Sequence, residues 1–378
     1  MIKCEDYLEL LIKNNINFFT GVPDSLLKEF CSCLDKHLGP LNHVISSNEG
    51  AAVGLAIGNY IGTNEIPLVY MQNSGLGNAI NPILSLASSE VYGIPMVLMI
   101  GWRGEPLKKD EPQHFHQGRI TIPLLETMDI PVVILDSNIE KAKKQTQFIL
   151  MEARRINGPV AIVIKKNTFE NFEPLHLPPS VFSVSRESAI ITILKLLEKD
   201  VSIVCTTGMA SRELFEFRAK NNQKIEKDFL TVGGMGHASQ IALGIARARP
   251  NKLIYCLDGD GAVLMHMGSL GILGQSNQKN FVHIVLNNGS HDSVGGQPTI
   301  CNSINLSNIA KSCGYKNVFT AHTESEIKKS ILQIKTLEGP TFLEIKIKPG
   351  NRKNIGRPSS TPQQNKQALM NYLGVSDK

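Results

Sequence analysis

Short apolar runs recur along this chain at positions 18–20, 43–46, 67–71, 96–100, 132–135 and 160–164, and again at 201–205, 253–257, 281–286, around 318 and at 341–347. Most are too short for a helix and end in clusters of Gly, Asp, Asn, Ser or Thr, the pattern of strands buried on both faces. Between them lie segments of helical period at 4–15, 26–34, 139–156, 187–197, 308–313 and 324–337, a small-residue stretch opening at Glu49 (AAVGLAIGNYIG) and a further segment ending near Ser89. Strands alternating with helices predict an α/β protein built on parallel sheets.

The sharpest pattern lies in the stretch 253–296. One apolar run ends in Asp258-Gly259-Asp260-Gly261 and the next, after a single expected helix, ends in Asn287-Asn288. Both polar clusters therefore fall at the carboxyl ends of neighbouring strands, where open α/β sheets bind ligands. Asp260 and Asn288 offer hard oxygen ligands, the carbonyl of Ser290 could complete an octahedron, and the glycines let backbone approach a magnesium-bridged phosphate.

Shifting the chain by 186 positions lays Glu49–Trp102 on Met235–Asn288 without a gap, matching Gly50 with Gly236, Ala52 with Ala238, Ala56 with Ala242, Gly58 with Gly244 and Gly75 with Gly261. The order of elements is kept, so two similar α/β domains are expected. We set them at residues 1–166 and 187–378, joined by an extended linker over 167–186 that contains Pro174, Pro178 and Pro179. The second ends in a basic turn (Arg352, Lys353, Arg357) and a helix to Tyr372, started by Thr361-Pro362-Gln363-Gln364 with a capping residue, a proline at the first helical position and Gln at the third.

Composition adds exclusions. With 42% apolar and 19% charged residues the chain can bury a sizeable core, and a net charge of +5 over 378 residues is too small and scattered for nucleic acid, though it suits a small acidic substrate. Seven cysteines with no CxxC pair, and no His cluster at zinc spacing, fit a reducing cytoplasm. Residues 1–15 carry charges throughout, unlike a signal peptide, and no run approaches the roughly 20 apolar residues of a membrane span.

Three more places carry candidate chemistry. Asp24 follows the first strand, as turn residue or as a polar group at a strand's carboxyl end. Glu49 opens the small-residue helix, as dipole partner or as a functional carboxylate in an apolar setting. Residues 101–119 read as a long polar loop bearing Arg103, His114, His116, Gln117 and Arg119, with two histidines around an aromatic as in a ligand-facing segment.

GDG, 25 intervening residues and NN, with strand context at both ends, resembles the signature of the pyruvate-decarboxylase-like thiamine diphosphate enzymes. The resemblance implies a pyrimidine-binding and a diphosphate-binding domain without a middle domain, and use of the cofactor as electron sink for decarboxylation of a 2-keto acid. It implies Glu49 as the acid facing the pyrimidine, Met235 as the apolar support, Asn73, Thr207, Gly208, Gly259, Gly261 and Ala262 as cofactor contacts, and Asp260, Asn288 and Ser290 around magnesium. Asp24, His114 and His116 become catalytic candidates. The chain departs from pyruvate decarboxylase at Val294, where that enzyme has a glutamate, and in His114-Phe115-His116, where that enzyme has adjacent histidines. GVPDSLLK, PQHFHQGR, TTGMASRELF, NNGSHDSVGGQPT and GRPSSTP point instead to relatives acting on 2-keto acids with a second acidic group, phosphonate or sulfonate, which Arg103, Gln117, Arg119 and Arg357 would bind. Self-association with active sites at the subunit interface is also implied. Against a catalytically silent binding subunit stands the presence of Glu49 together with Asp260 and Asn288.

Overall fold

In the computed structural model, which describes residues 1–173, 180–198 and 200–375, the apolar runs of the first half become β1 (Phe19–Gly21), β2 (His43–Ile45), β3 (Leu68–Gln72), β4 (Met96–Gly101), β5 (Val132–Ile134) and β6 (Pro159–Ile164). They pair in parallel in the order β2-β1-β3-β4-β6-β5. Every residue of β4 and β6 is buried, as helices on both faces require. Those helices are α1 (Cys4–Lys13), α2 (Lys28–His37), α3 (Glu49–Thr63), α4 (Leu76–Pro82), α5 (Pro112–Thr127) and α6 (Ile139–Ile156).

The second half repeats the plan with β7 (Ser202–Cys205), β8 (Asp228–Leu230), β9 (Ile254–Gly259), β10 (Phe281–Asn287), β11 (Asn317–Ala321) and β12 (Thr341–Lys346). Its order, read from the β8 edge, is β8-β7-β9-β10-β12-β11, the first sheet's order with each number raised by six. The internal shift holds in detail: Leu68 and Ile254 open β3 and β9, and Gly101 and Asn287 close β4 and β10. Its helices are α7 (Arg186–Leu196), α8 (Met209–Lys220), α9 (Ala238–Ala248), α10 (Asp260–Met265), α11 (Ser269–Gly274), α12 (Leu306–Ser312), α13 (Glu324–Ile334) and α14 (Pro362–Tyr372). The chain clusters into two units, Met1–Leu177 with Val294–Gln297 and Pro178–Ser293 with Pro298–Lys378. No middle domain intervenes among the described residues.

Of the stretch 167–186, residues 174–179 lie outside the described residues. At its start Ile2 bridges Phe169, which stacks on Phe30 within the first core, and at its end Arg186 opens α7. Two expectations change. The single helix between β9 and β10 is two short ones, interrupted at His266, whose backbone leaves the helical region (φ −132, ψ 48), in a segment whose four glycines weaken helix. The polar loop 101–119 ends early, because α5 starts at Pro112 and buries His114, Gly118, Thr121 and Leu125 at spacings of four, three and four. That stripe is helical in period but composed of His, Gly and Thr, so hydrophobicity does not announce it. No helix among the described residues is long and apolar enough to cross a membrane.

The tail closes the second sheet. Thr361 and Gln364 form a capping box with Pro362 at the helix start. Asn365 of α14 then acts as a missing strand beside the edge strand β8: its Nδ2 donates to the Asp228 carbonyl (2.8 Å) and its Oδ1 accepts from the Leu230 amide (2.9 Å). Both backbone groups are buried, so Asn365→Ala strands a donor and an acceptor. The expected loss is about 2–4 kcal/mol in urea unfolding; a loss under about 0.5 kcal/mol, the scale of an ordinary surface change, would show that the edge needs no cover.

Candidate active site

In the second unit β7, β9 and β10 lie side by side and parallel, so the polar turns after them meet at one edge of the sheet. The chain leaves β7 toward β8 on one side and returns through β9 on the other, which makes the crevice between β7 and β9 a topological switch point. A cavity of about 600 Å³, counting its open mouth, occupies this place. Thr207, Met235, Gly259, Asp260, Gly261, Ala262, Asn288 and Ser290 all line it. Gly208, at positive φ (97°), forms the cap of α8, whose first residues Met209 and Ala210 face the cavity. The Thr207 hydroxyl accepts from the Gly233 amide (3.0 Å), tying down the turn that carries Met235, in which Gly233, Gly234 and Gly236 take positive φ.

Asp260 dominates the electrostatics. Its side chain is buried, and its Oδ2 accepts a 2.6 Å hydrogen bond from Thr299 Oγ1. Among the described residues it has no Lys, Arg or His within ion-pair distance. Burial pushes its carboxyl up to about 6, against the Thr299 hydroxyl and the amides of Gly261 and Asn288, which hold it down. Asn288 Oδ1 accepts from the Ser290 amide (3.0 Å), and its Nδ2 donates to Asp292 Oδ2 (2.7 Å). That carboxylate also accepts from Arg186 Nη1 (3.2 Å) and the Gly350 amide (2.9 Å), while Arg186 pairs through Nε with Glu213 (2.9 Å). Burial pushes the His291 imidazole down to about 4, so it borders Gly261 uncharged.

These features fit a magnesium-bridged diphosphate. A buried carboxylate without a cation is costly and is relieved by a metal. A Cβ at Gly208 or Gly259 would meet nothing within 4 Å, so both positions border free space, and the start of α8 offers backbone N–H groups to an anion. Cys256, Asp258 and His283 also lie within 4.8 Å of one another. His283, however, already uses one ring nitrogen on Tyr315 (3.0 Å) and the other on Asp258 (3.3 Å) inside an aromatic cage, which makes the group part of the core rather than a metal centre.

The first unit gathers a second set. Glu49, at the start of α3, leaves helix capping to Asn48 and turns its own buried carboxyl toward Asn78 (2.8 Å). Gly75 is obligatory there, since a Cβ would sit 2.5 Å from Glu49 Oε1. Burial raises the Glu49 pKa, opposed by the Asn78 amide. Asp24 is wholly buried, its Oδ2 accepts from Leu26 N (2.9 Å), its Oδ1 has no partner, and burial raises it against Arg103 and His114. Arg103 is engaged bidentately by Asp110 (3.0 and 2.5 Å) and by Ser25 Oγ (2.7 Å). Asp110 also holds His114 Nδ1 (2.8 Å), and burial lowers the His114 pKa against that bond. Asn73 donates to the Arg103 carbonyl and to Thr121 (2.8 Å each), fastening this turn. Helical spacing turns His116 and Arg119 to solvent, in contact with each other (3.3 Å), with Gln117 half-buried between the two faces. Arg357 is exposed on the tail and does not line the cavity. Arg186, His291, Asp292 and Thr299 were not singled out from sequence; only the position of His291, Asp292 and Thr299 just after the NN pair hinted at them.

Two family descriptions match: the thiamine pyrophosphate enzyme N-terminal TPP binding domain over residues 4–123 and the C-terminal TPP binding domain over residues 203–345. The chain belongs to the thiamine pyrophosphate enzymes, and among these to the decarboxylases. It is similar to the phosphonopyruvate decarboxylase of Streptomyces viridochromogenes, 32% identical over 390 residues covering 96% of this chain and 92% of that one. The sulfopyruvate decarboxylase of Methanosarcina acetivorans is 25% identical over 384 residues, 96% of each chain. The sulfopyruvate decarboxylase subunit beta of Methanococcus maripaludis is 31% identical over 184 residues, 49% of this chain and 95% of that subunit.

Burial of Asp260 couples folding to pH. Its carboxyl keeps its proton in the fold from its ordinary value near 3.8 up to about 6, so folding takes up a proton in that window. Stability of the protein free of cofactor and metal therefore falls as pH rises through the window, by on the order of 2–3 kcal/mol from this group. Asp260→Asn should match wild type near pH 4 and exceed it by on the order of 2 kcal/mol near pH 7.5 in urea unfolding. A variant less stable than wild type at both pH values would contradict the uncompensated-charge reading.

Proposed function

We propose that this protein is a thiamine diphosphate- and Mg2+-dependent decarboxylase that converts 3-phosphonopyruvate to phosphonoacetaldehyde and CO2, serving phosphonate biosynthesis in the cytoplasm. The observation that carries the substrate is the match, along nearly the whole of both chains, to a phosphonopyruvate decarboxylase. In the reaction the C1–C2 bond breaks, the C1 carboxylate leaves as CO2 with the bonding pair remaining on C2, and a proton takes its place there. When bound, thiamine diphosphate supplies the electron sink for the pair released by that cleavage.

The chain's residues supply placement and protons. Asp260, Asn288 and the Ser290 carbonyl would hold the cation, with the Thr207-Gly208 turn, Gly259, Gly261 and Ala262 around the diphosphate and Met235 beneath the cofactor. Burial raises the Glu49 carboxyl, the direction that favours its protonated form and suits an acid toward the pyrimidine. Asp24 and His114 are the proton donors we favour for C2, since Asp24 combines a raised carboxyl with an unpartnered Oδ1 and His114 is held close by. We assign His116 and Gln117 to secondary roles on the outer side of α5. Asn73 and Arg103 build the turn, so we give the second acidic group to Arg357 first and Arg119 next. Self-association with active sites at the subunit interface is part of the proposal, supported by a sulfopyruvate relative that is a named subunit of about half this length.

Product analysis by phosphorus and proton NMR with phosphonopyruvate, sulfopyruvate and pyruvate, in the presence of thiamine diphosphate and Mg2+, tests it. We expect phosphonopyruvate to have the highest kcat/KM and Glu49→Gln to lose about 10²–10⁴-fold while still binding the cofactor. Arg357→Ala should lose on the order of 2 kcal/mol on phosphonopyruvate and far less on pyruvate. Preference for sulfopyruvate, or release of no CO2, would overturn the assignment.

A further inference from the structure

Beside β10, the neighbouring strand β12 carries an ion pair that the proposed chemistry does not use. Glu344 is 1% exposed, yet it accepts from Asn287 Nδ2 (2.7 Å), from Ser307 Oγ (3.0 Å) and from Lys346 Nζ (2.9 Å). The bonds continue into a closed ring. Asn287 Oδ1 accepts from the Gly289 amide (3.1 Å), the Gly289 carbonyl accepts from the Thr299 amide (2.9 Å), and Thr299 Oγ1 accepts from the Cys301 amide (3.3 Å). The Cys301 carbonyl then takes Lys346 Nζ (3.1 Å), which returns to Glu344.

This ring touches both oxygen ligands assigned to the cation. Thr299, a member, donates to Asp260 Oδ2 (2.6 Å), and Asn288 sits between two members, Asn287 and Gly289. Gly289 turns at positive φ (63°), and a Cβ there would come within 2.3 Å of the Asn302 amide, so the turn has no slack. Apolar residues of equal volume on β12 would pack as well as this largely buried ion pair does, and without its desolvation cost. What they would not reproduce is the orientation of Asn287 and, through it, of the turn that carries Asn288.

We propose that Glu344, with Lys346, is a positioning residue for the cation site, holding Asn288 and Asp260 in the strict octahedral arrangement that Mg2+ demands and Ca2+ does not. The inference rests on the proposed function, since it needs a cation at Asp260. Its test is binding rather than turnover. Full-length wild type, Glu344→Gln and the double variant Glu344→Met with Lys346→Met are titrated with Mn2+ at saturating thiamine diphosphate, free Mn2+ being read by electron paramagnetic resonance. Mg2+ and Ca2+ are then added as competitors, and thermal unfolding is recorded without metal. The double variant leaves no lone buried charge and separates stability from affinity. We expect the Mn2+ Kd to rise about 10–100-fold in both variants, the scale for outer-shell partners of metal ligands, with Mg2+ losing ground to Ca2+ and the double variant's metal-free Tm staying near wild type. Variants that bind Mn2+ as wild type does, or that weaken for Mg2+ and Ca2+ alike in step with Tm, overturn the inference alone. A wild type that takes up no Mn2+ overturns the proposed function and this inference with it.

Discussion

The second unit is arranged around a carboxylate buried without a cation of the protein's own. Asp260 follows β9 and begins α10, in the crevice where the sheet's connections diverge, and among the described residues a hydroxyl and backbone amides alone compensate it. Desolvating a charge this far costs several kcal/mol unless something positive arrives, so the ionised carboxyl favours a positive group beside it in the cavity. The neighbouring features follow from that. The glycines leave room, the first residues of α8 line the cavity, and Asp292 joins Asn288 to Arg186 and the Gly350 backbone.

The two halves share a topology and differ in chemistry. Residues equivalent under the internal shift differ in kind: Glu49 corresponds to Met235, so a carboxyl in one unit stands where a thioether stands in the other. Gly75 and Gly261 keep one task, close approach, to a glutamate in the first unit and to an imidazole in the second. Buried carboxyls are raised on both sides, Glu49 against the Asn78 amide, Asp24 against Arg103 and His114, and Asp260 against a hydroxyl and backbone amides.

Much of this architecture can be read from the amino acids because it rests on periodicity and turn chemistry. The strands of the repeat, its registration by 186 positions and the capped helix at Thr361 all depend on local pattern. What could not be read depends on tertiary partners. The helix at Pro112 buries His, Gly and Thr, a stripe that looks polar until Gly104 and Gly118 are seen in backbone contact. Arg103 looks like a free cation until Asp110 closes on it. Arg186 lies far in sequence from every motif and reaches the cavity only because α7 begins beside it. The Asn365 amide that completes β8 is likewise invisible, since its partner groups are backbone atoms of a strand more than a hundred residues earlier.

The burial of Asp260 without a countercharge among the described residues is tested most directly by watching its proton. A wild-type minus Asp260→Asn infrared difference spectrum, titrated from pH 4 to 8, isolates its carboxyl band. In the protein without cofactor or metal the protonated band should persist past the ordinary carboxylate range and vanish with a midpoint of about 6. With Mg2+ and thiamine diphosphate present it should be gone well below that pH, because the cation replaces the proton. A band lost near the ordinary value in both states, or one indifferent to Mg2+ and the cofactor, would contradict the account.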